Sequence, residues 1–304
     1  MLILNSDITF VIQGQPYIRS NVNYTVKCIE SIRTHYPDSK IIFSLSSPSL
    51  ENKSTYNVDE FTFSDDPGGI DIKGKKLLNV NRQIVSSLAG IKKANTKWVC
   101  KVRADMYFSK YISFEKIYRK KNNSSTKKVF DEKVIVSDIT TKNFELKDEY
   151  VDHVSDWLYF GLTTDLYKLF NIPLYDEAVI ELASPLSAVS AERYIWTKHL
   201  FNKSFGFRTV SLAQEYLVNN AIIISAKKKG IKCYKKGYSF PFGVNGFSQY
   251  NEQDWHSLYK KIADEDHQVK MLPCLLSDVK KIFYNGKYHL FDKPVLFIYK
   301  AIFK

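Results

Sequence analysis

Through its first hundred or so residues the chain alternates short β-branched runs with stretches whose apolar residues recur at helical spacing, which leaves few folds open. Residues 8–12 form a buried first strand that stops at Gly14. Residues 25–36 put Val26, Ile29, Ile32 and Tyr36 on one helical face, and Pro37-Asp38 ends that helix. Strands follow at 40–44 and at Glu60–Phe63, then a helix at 81–94 with Ile84, Leu88 and Ile91 inward, then a strand at 98–102. This β-α-β-β-α-β order predicts a Rossmann-like α/β fold, a mostly parallel sheet flanked by helices.

After Tyr107 the pattern changes. Residues 116–133 are rich in Lys and Arg around Asn122-Asn123-Ser124-Ser125-Thr126, which reads as a solvated loop. Val134–Ser137 is another strand, 156–160 is a short aromatic segment, and a helix begins at 165–170. Helices are expected at 191–201, 212–224 and 255–263, with irregular, aromatic chain between the last two. Without internal repeats or a low-complexity linker, the chain divides into an α/β half (1–110), a second half of the same domain (111–240) and an aromatic, basic C-terminal extension (241–304).

The formal charge is +12, and 20 Tyr and 20 Phe accompany it, a balance suited to nucleic acid, an anionic membrane face or phosphorylated small molecules. No helix-turn-helix, zinc-finger or RRM-type motif is visible, so nucleic acid is not the expected partner. The four cysteines lie far apart with no metal spacing, and Cys28 and Cys100 sit in apolar runs as reduced core residues. No leader-like segment or apolar run of spanning length is present, so the expectation is a cytoplasmic protein, soluble or peripheral at the inner face of the membrane. The basic cluster Lys227-Lys228-Lys229, Lys232 and Lys235-Lys236 reads first as a solvated helix end; with the basic tail it also suits anionic lipid.

Residues 79–108 are the most informative stretch. A polar Asn81-Arg82-Gln83 opens a helix, and the following strand ends in Arg103-Ala104-Asp105. A carboxylate there stands at the carboxyl edge of the sheet, where open α/β folds bind ligands. An Arg at a helix start reaches phosphate oxygens. Gln13-Gly14, after the first strand, allows close backbone approach, and Asp65-Asp66-Pro67-Gly68 follows the third strand, although a plain turn accounts for that tetrad nearly as well. Two carboxylates suit a general base: Asp156, beside Trp157 as a surface for a sugar face, and Glu192, whose place in a first helical turn the macrodipole also explains. His153 and His256 read as ordinary histidines rather than metal ligands.

Taken together, residues 8–15, 28–42, 65–68, 79–87, 101–105, 155–161 and 191–196 resemble the WavE family of lipopolysaccharide-synthesis proteins and, more broadly, glycosyltransferases of the GT-A fold. The resemblance implies a nucleotide-sugar donor bound by Gln13, Gly14, Asp65, Asp66, Asn81, Arg82, Arg103 and Asp105, with Asp156 or Glu192 as base. It further implies a glycan or glycolipid acceptor, residues 1–110 as the donor half, 111–240 as the acceptor side, and a C-terminal helical or irregular acceptor lobe. Where the family pattern has Asp-x-Asp, this chain has Arg103-Ala104-Asp105. Two readings stay open there: Asp105 binds Mn or Mg, or the Arg103 guanidinium supplies the metal's charge itself. A sugar nucleotidyltransferase is a rival reading, weakened because the loop after the first strand has no cation before Arg19; a non-catalytic partner in polysaccharide assembly is another.

Overall fold

In the computed structural model, which describes residues 2–72, 76–119, 128–146, 150–175, 190–200, 209–234 and 249–263, β1 (Ile8–Gln13) is buried along its whole length. Then come a hairpin of β2 (Ile18–Arg19) and β3 (Val22–Asn23), α1 (Tyr24–His35), β4 (Lys40–Leu45) and β5 (Glu60–Phe63). A second hairpin, β6 (Ile70–Ile72) and β7 (Lys76–Leu78), leads to α2 (Val80–Lys93), β8 (Trp98–Arg103), β9 (Met106–Phe108) and α3 (Phe114–Arg119). The chain continues through β10 (Val134–Ser137), β11 (Leu158–Leu162), α4 (Thr163–Phe170) and α5 (Ala191–Leu200). The last described elements are α6 (Val210–Asn220), β12 (Ala221–Ile224), α7 (Ala226–Lys229), β13 (Ile231–Cys233) and α8 (Glu252–Ala263).

Seven strands form one sheet in the order β12-β10-β11-β8-β1-β4-β5, and β11 alone runs against the rest. The expected α/β class, with a mostly parallel sheet flanked by helices, is therefore what the chain adopts. β1 reads as a near-continuous apolar run because strands bond to both its edges and helices cover both its faces. On one face Phe10 meets Tyr36 at 4.8 Å, and Phe160 is sandwiched between Trp98 at 5.5 Å and Phe114 at 3.8 Å. The other face receives α2. Gly90 is pressed so tightly onto Val11 and Ser44 that a Cβ there would overlap Val11 Cγ1, and close packing of this kind leaves little slack. Asn23 caps α1, accepting from the Thr25 and Val26 N–H groups at 3.1 and 3.3 Å, a contact worth about 1 kcal/mol.

Two expectations need correction. The helix expected over 212–224 ends at Asn220, and Ala221–Ile224 is an edge strand parallel to β10, because an apolar β-branched run directly after a helix carries no visible break in period. Residues 116–133 are not all loop: α3 takes 116–119, and Phe130 and Lys133 are buried. The 156–160 segment enters the sheet as β11 from Leu158. Most of the 241–304 extension lies outside the described residues, as do Lys235-Lys236; α8 is its described helix.

Candidate functional site

The sheet itself marks one rim. From β1 the chain passes through α1 to β4 on one side, whereas β8 lies on the other side of β1. Such a switch point opens a crevice at the carboxyl ends of the two strands. Here those ends are Gln13 and Arg103, directly opposite each other in register. The Ala104 N–H donates to the Gln13 carbonyl at 3.0 Å, and the Gly14 N–H donates to the Ser44 carbonyl at 3.1 Å. Gly14 has φ +114°, a conformation L side chains rarely adopt, and a Cβ built on it would meet nothing within 4 Å. Open space therefore lies against the backbone at the end of β1.

On the β8 side the backbone is braced from below. Thr25 Oγ1 donates to the Ala104 carbonyl at 3.0 Å. The Asp105 carboxylate is buried and takes both hydrogen bonds of the Arg103 fork, at 3.0 and 2.7 Å. Burial by itself would lower the Arg103 guanidinium, but the charge and hydrogen bonds of Asp105 hold it above its ordinary value. The guanidinium also lies 4.2 Å from the Trp157 ring centroid. Trp157 is thus no free platform for a sugar: it is buried, and Arg103 stacks on it.

Because β11 runs backwards, its amino end falls on the rim formed by the carboxyl ends of its neighbours. This brings Asp156 to the rim. Asp156 is buried, and among the described residues its Oδ1 has no hydrogen-bond partner. Burial raises its pKa, and the Glu192 charge raises it further; Lys101, Arg103 and a hydrogen bond from Gln83 oppose the rise. Glu192, in the first turn of α5, approaches His153 Nε2 at 4.0 Å. Burial lowers His153 to about 4, so its imidazole is neutral at ordinary pH. The two candidate bases thus stand within electrostatic reach of one another, on elements that are distant in sequence.

Lys101 is a member of this cluster that sequence reasoning passed over. It sits in β8 two residues before Arg103, on the same face by strand alternation. It is fully buried, with Nζ donating to the Asp156 carbonyl at 2.5 Å and lying 5.8 Å from the Tyr159 ring centroid. Burial lowers it to about 8, against the attraction of Asp156. The signal was a lysine inside the apolar run Trp98–Arg103, with the parity of the rim arginine. Gln83 Oε1, Ser87 Oγ and Tyr159 OH are also buried without partners among the described residues, which makes this side of the sheet unusually polar.

The remaining candidates make contacts of their own, Asn81 and Arg82 preceding Gln83 in α2. Arg82 forks onto Asp66 at 2.7 and 2.8 Å and donates to Asn79 at 2.8 Å; Asp66 also accepts from the Gly68 N–H. The Asp66–Arg82 pair is partly exposed, and Asp65 is exposed beside it. Asn81 is buried, with its amide clamping the Tyr175 backbone through bonds of 2.9 and 2.7 Å. His256 on α8 stands 4.0 Å from Glu252. Among the described residues no three His, Cys, Asp or Glu side chains converge as a metal site. Cys28 and Cys100 are buried free thiols.

The model of the WavE lipopolysaccharide synthesis family matches residues 8–286, nearly the whole chain and every residue of the rim. The chain belongs to the WavE lipopolysaccharide synthesis family. Its role accordingly lies in lipopolysaccharide synthesis, in the setting of glycans. No curated protein matches the sequence of this WavE-family chain. Among the described residues of the WavE-family protein, no helix is long and apolar enough to cross a membrane.

Proposed function

We propose that this WavE-family protein is a GT-A-like glycosyltransferase that moves a sugar from a nucleotide-activated donor to a hydroxyl of a lipopolysaccharide or surface-polysaccharide acceptor. The observation that carries this reading is the rim itself. A buried carboxylate with an unpartnered oxygen, Asp156, lies beside Lys101 and Arg103, at the switch point where Gly14 leaves open space. Transfer needs a base for the acceptor proton and positive charge for the departing phosphate, and the rim has both. In the proposed step Asp156 Oδ1 takes the acceptor hydroxyl proton as that oxygen bonds to the anomeric carbon. The bond from that carbon to the phosphate oxygen breaks, and its electron pair leaves with the nucleotide. Arg103 and Lys101 face the charge that develops. Glu192 assists by raising the proton affinity of Asp156, or takes the base role itself.

Donor contacts are assigned on the same reading to Gln13 and Gly14 at the end of β1, to Arg103 and Asp105, and to Asp65, Asp66, Asn81 and Arg82 along the start of α2. Both oxygens of Asp105 are engaged by Arg103, and no second carboxylate joins it from a metal-binding group among the described residues. That donor set fits a guanidinium facing phosphate better than a divalent ion held by Asp105. Lys227-Lys228-Lys229, at the end of α7 with Lys227 and Lys228 exposed, suits reversible docking to anionic lipid that presents the acceptor.

Thermal-shift screening against UDP-, GDP-, CDP- and CMP-sugars, with and without Mn2+, tests the reading. One nucleotide class should raise the melting temperature, and Mn2+ should add little. Asp105→Ala should abolish the shift by freeing Arg103 from its geometry. No response to any nucleotide-sugar, or an Asp105→Ala variant that binds and transfers normally, overturns it.

A further inference from the structure

Four tyrosines that the sequence keeps far apart stand ring to ring beside the same rim. Tyr17 lies in the loop after β1, Tyr24 opens α1, Tyr107 is on β9, and Tyr234 follows β13. Their centroids step 5.7 Å from Tyr17 to Tyr24, 4.3 Å on to Tyr234 and 4.3 Å on to Tyr107. Main-chain bonds tie this column to the rim: the Tyr234 N–H donates to the Asp105 carbonyl at 2.9 Å, and the Tyr24 N–H to the Tyr17 carbonyl at 2.9 Å. The pairing of β13 with β9 fixes Tyr234 against Tyr107.

A stack that served only as core would be buried. All four of these residues are half-buried, and among the described residues no hydrogen bond engages any of their hydroxyls. The column also carries charge. Lys27 Nζ lies 5.5 Å from the Tyr24 centroid and Lys232 Nζ 5.8 Å from that of Tyr107. Both lysines are exposed, and among the described residues neither forms an ion pair. One acid, Glu30, is near enough to act on Tyr234. Tyr107 and Tyr234 stack and the other two steps are tilted by 38° and 40°, which leaves little parallel ring face for a nucleobase. What remains accessible is a line of phenolic hydroxyls, able to donate and accept, flanked by two ammonium groups.

We infer that this column binds an anionic glycan, the phosphate- or carboxylate-bearing acceptor of the proposed transfer. Sugar hydroxyls pair with the phenols, apolar C–H edges pack on the exposed ring rims, and the acidic groups face Lys27 and Lys232. The acceptor role rests on the transferase reading; the binding itself does not.

Titration calorimetry on the full chain tests it, with a phosphate-bearing core oligosaccharide released from lipopolysaccharide, its dephosphorylated twin, and UDP as probes. Wild type should prefer the phosphorylated glycan. The double variant Lys27→Ala/Lys232→Ala should bind it at least about fivefold more weakly and lose that preference. Tyr24→Phe/Tyr107→Phe keeps the rings while removing two hydroxyls, and should weaken both glycans by about fivefold or more. UDP binding should be unchanged in every variant. Glycan binding that is absent in wild type, or equal in wild type and variants, overturns the inference. So does a loss confined to UDP, which would make the column a base site. Glycan binding that falls as expected in a protein with no nucleotide-sugar response upholds the column and overturns the transferase reading alone.

Discussion

Replacing Lys101 with methionine removes an ammonium from the interior of the sheet and keeps an unbranched chain of similar length. Lys101 is fully buried, and burial brings its pKa from 10.5 down to about 8 despite Asp156, Asp105 and Glu192 nearby. Below about pH 8 both folded and unfolded chains hold the proton, so the folded state bears the full desolvation cost. Above 10.5 both are neutral and the cost is gone. The gap from 10.5 to about 8 corresponds to about 3 kcal/mol, at about 1.4 kcal/mol per pH unit. The Lys101 contribution to stability therefore rises with pH across that window. Urea unfolding of wild type and Lys101→Met should show the wild-type-minus-variant difference growing by about 2 kcal/mol between about pH 7.5 and about pH 9.5. The difference is the right quantity because Tyr36, Tyr118, Tyr159 and Tyr250, all raised by burial, titrate with the opposite sign and are common to both proteins. A difference flat to within about 0.5 kcal/mol would refute the reasoning, since it would mean the carboxylates solvate the ammonium as well as water does.

Asp156→Asn should retain the wild-type circular dichroism spectrum and melting temperature to within a few degrees while transfer falls by about 10²-fold or more. In wild type, activity should fail on acidification at a pH above the usual carboxylate range, because burial and then Glu192 raise Asp156; a limb at ordinary carboxylate pH would contradict that assignment. Gly90→Ala should destabilise by about 1–3 kcal/mol in chemical denaturation, since the added methyl has no room against Val11 and Ser44. Arg82→Ala breaks a partly exposed pair with Asp66 and should leave the melting temperature nearly unchanged, yet raise the KM for donor several-fold; an unchanged KM removes Arg82 from the donor site.

The parallel half of the fold was legible because each of its strands is a β-branched run flanked by breaks, and α1 and α2 carry clean helical periods. The two hairpins and the β9–β13 pair were not, since strands of two or three residues have no period to read. α6 and β12 merged into one expected helix because nothing but Asn219-Asn220 separates them. For the site, Gln13, Arg103 and Asp105 could be placed from strand ends alone, and Asp156 and Glu192 from residue type and local position. Their convergence could not be read, because it depends on the reversal of β11. Lys101 escaped notice because an apolar strand is expected to exclude an ammonium. The tyrosine column is spread over residues 17 to 234 and exists only through topology.

The reversed strand divides responsibility within the crevice. The turn that leaves β8 and the turn that enters β11 meet at one place, yet they belong to separate stretches of chain, joined there by Lys101 on the Asp156 carbonyl and Arg103 on Trp157. On the proposed transferase reading, lengthening or re-sequencing the approach to β11 would therefore alter which hydroxyl is presented while leaving the pairing of β1 with β8 in place. On that transferase reading, such a fold can change what it modifies while keeping what it draws from.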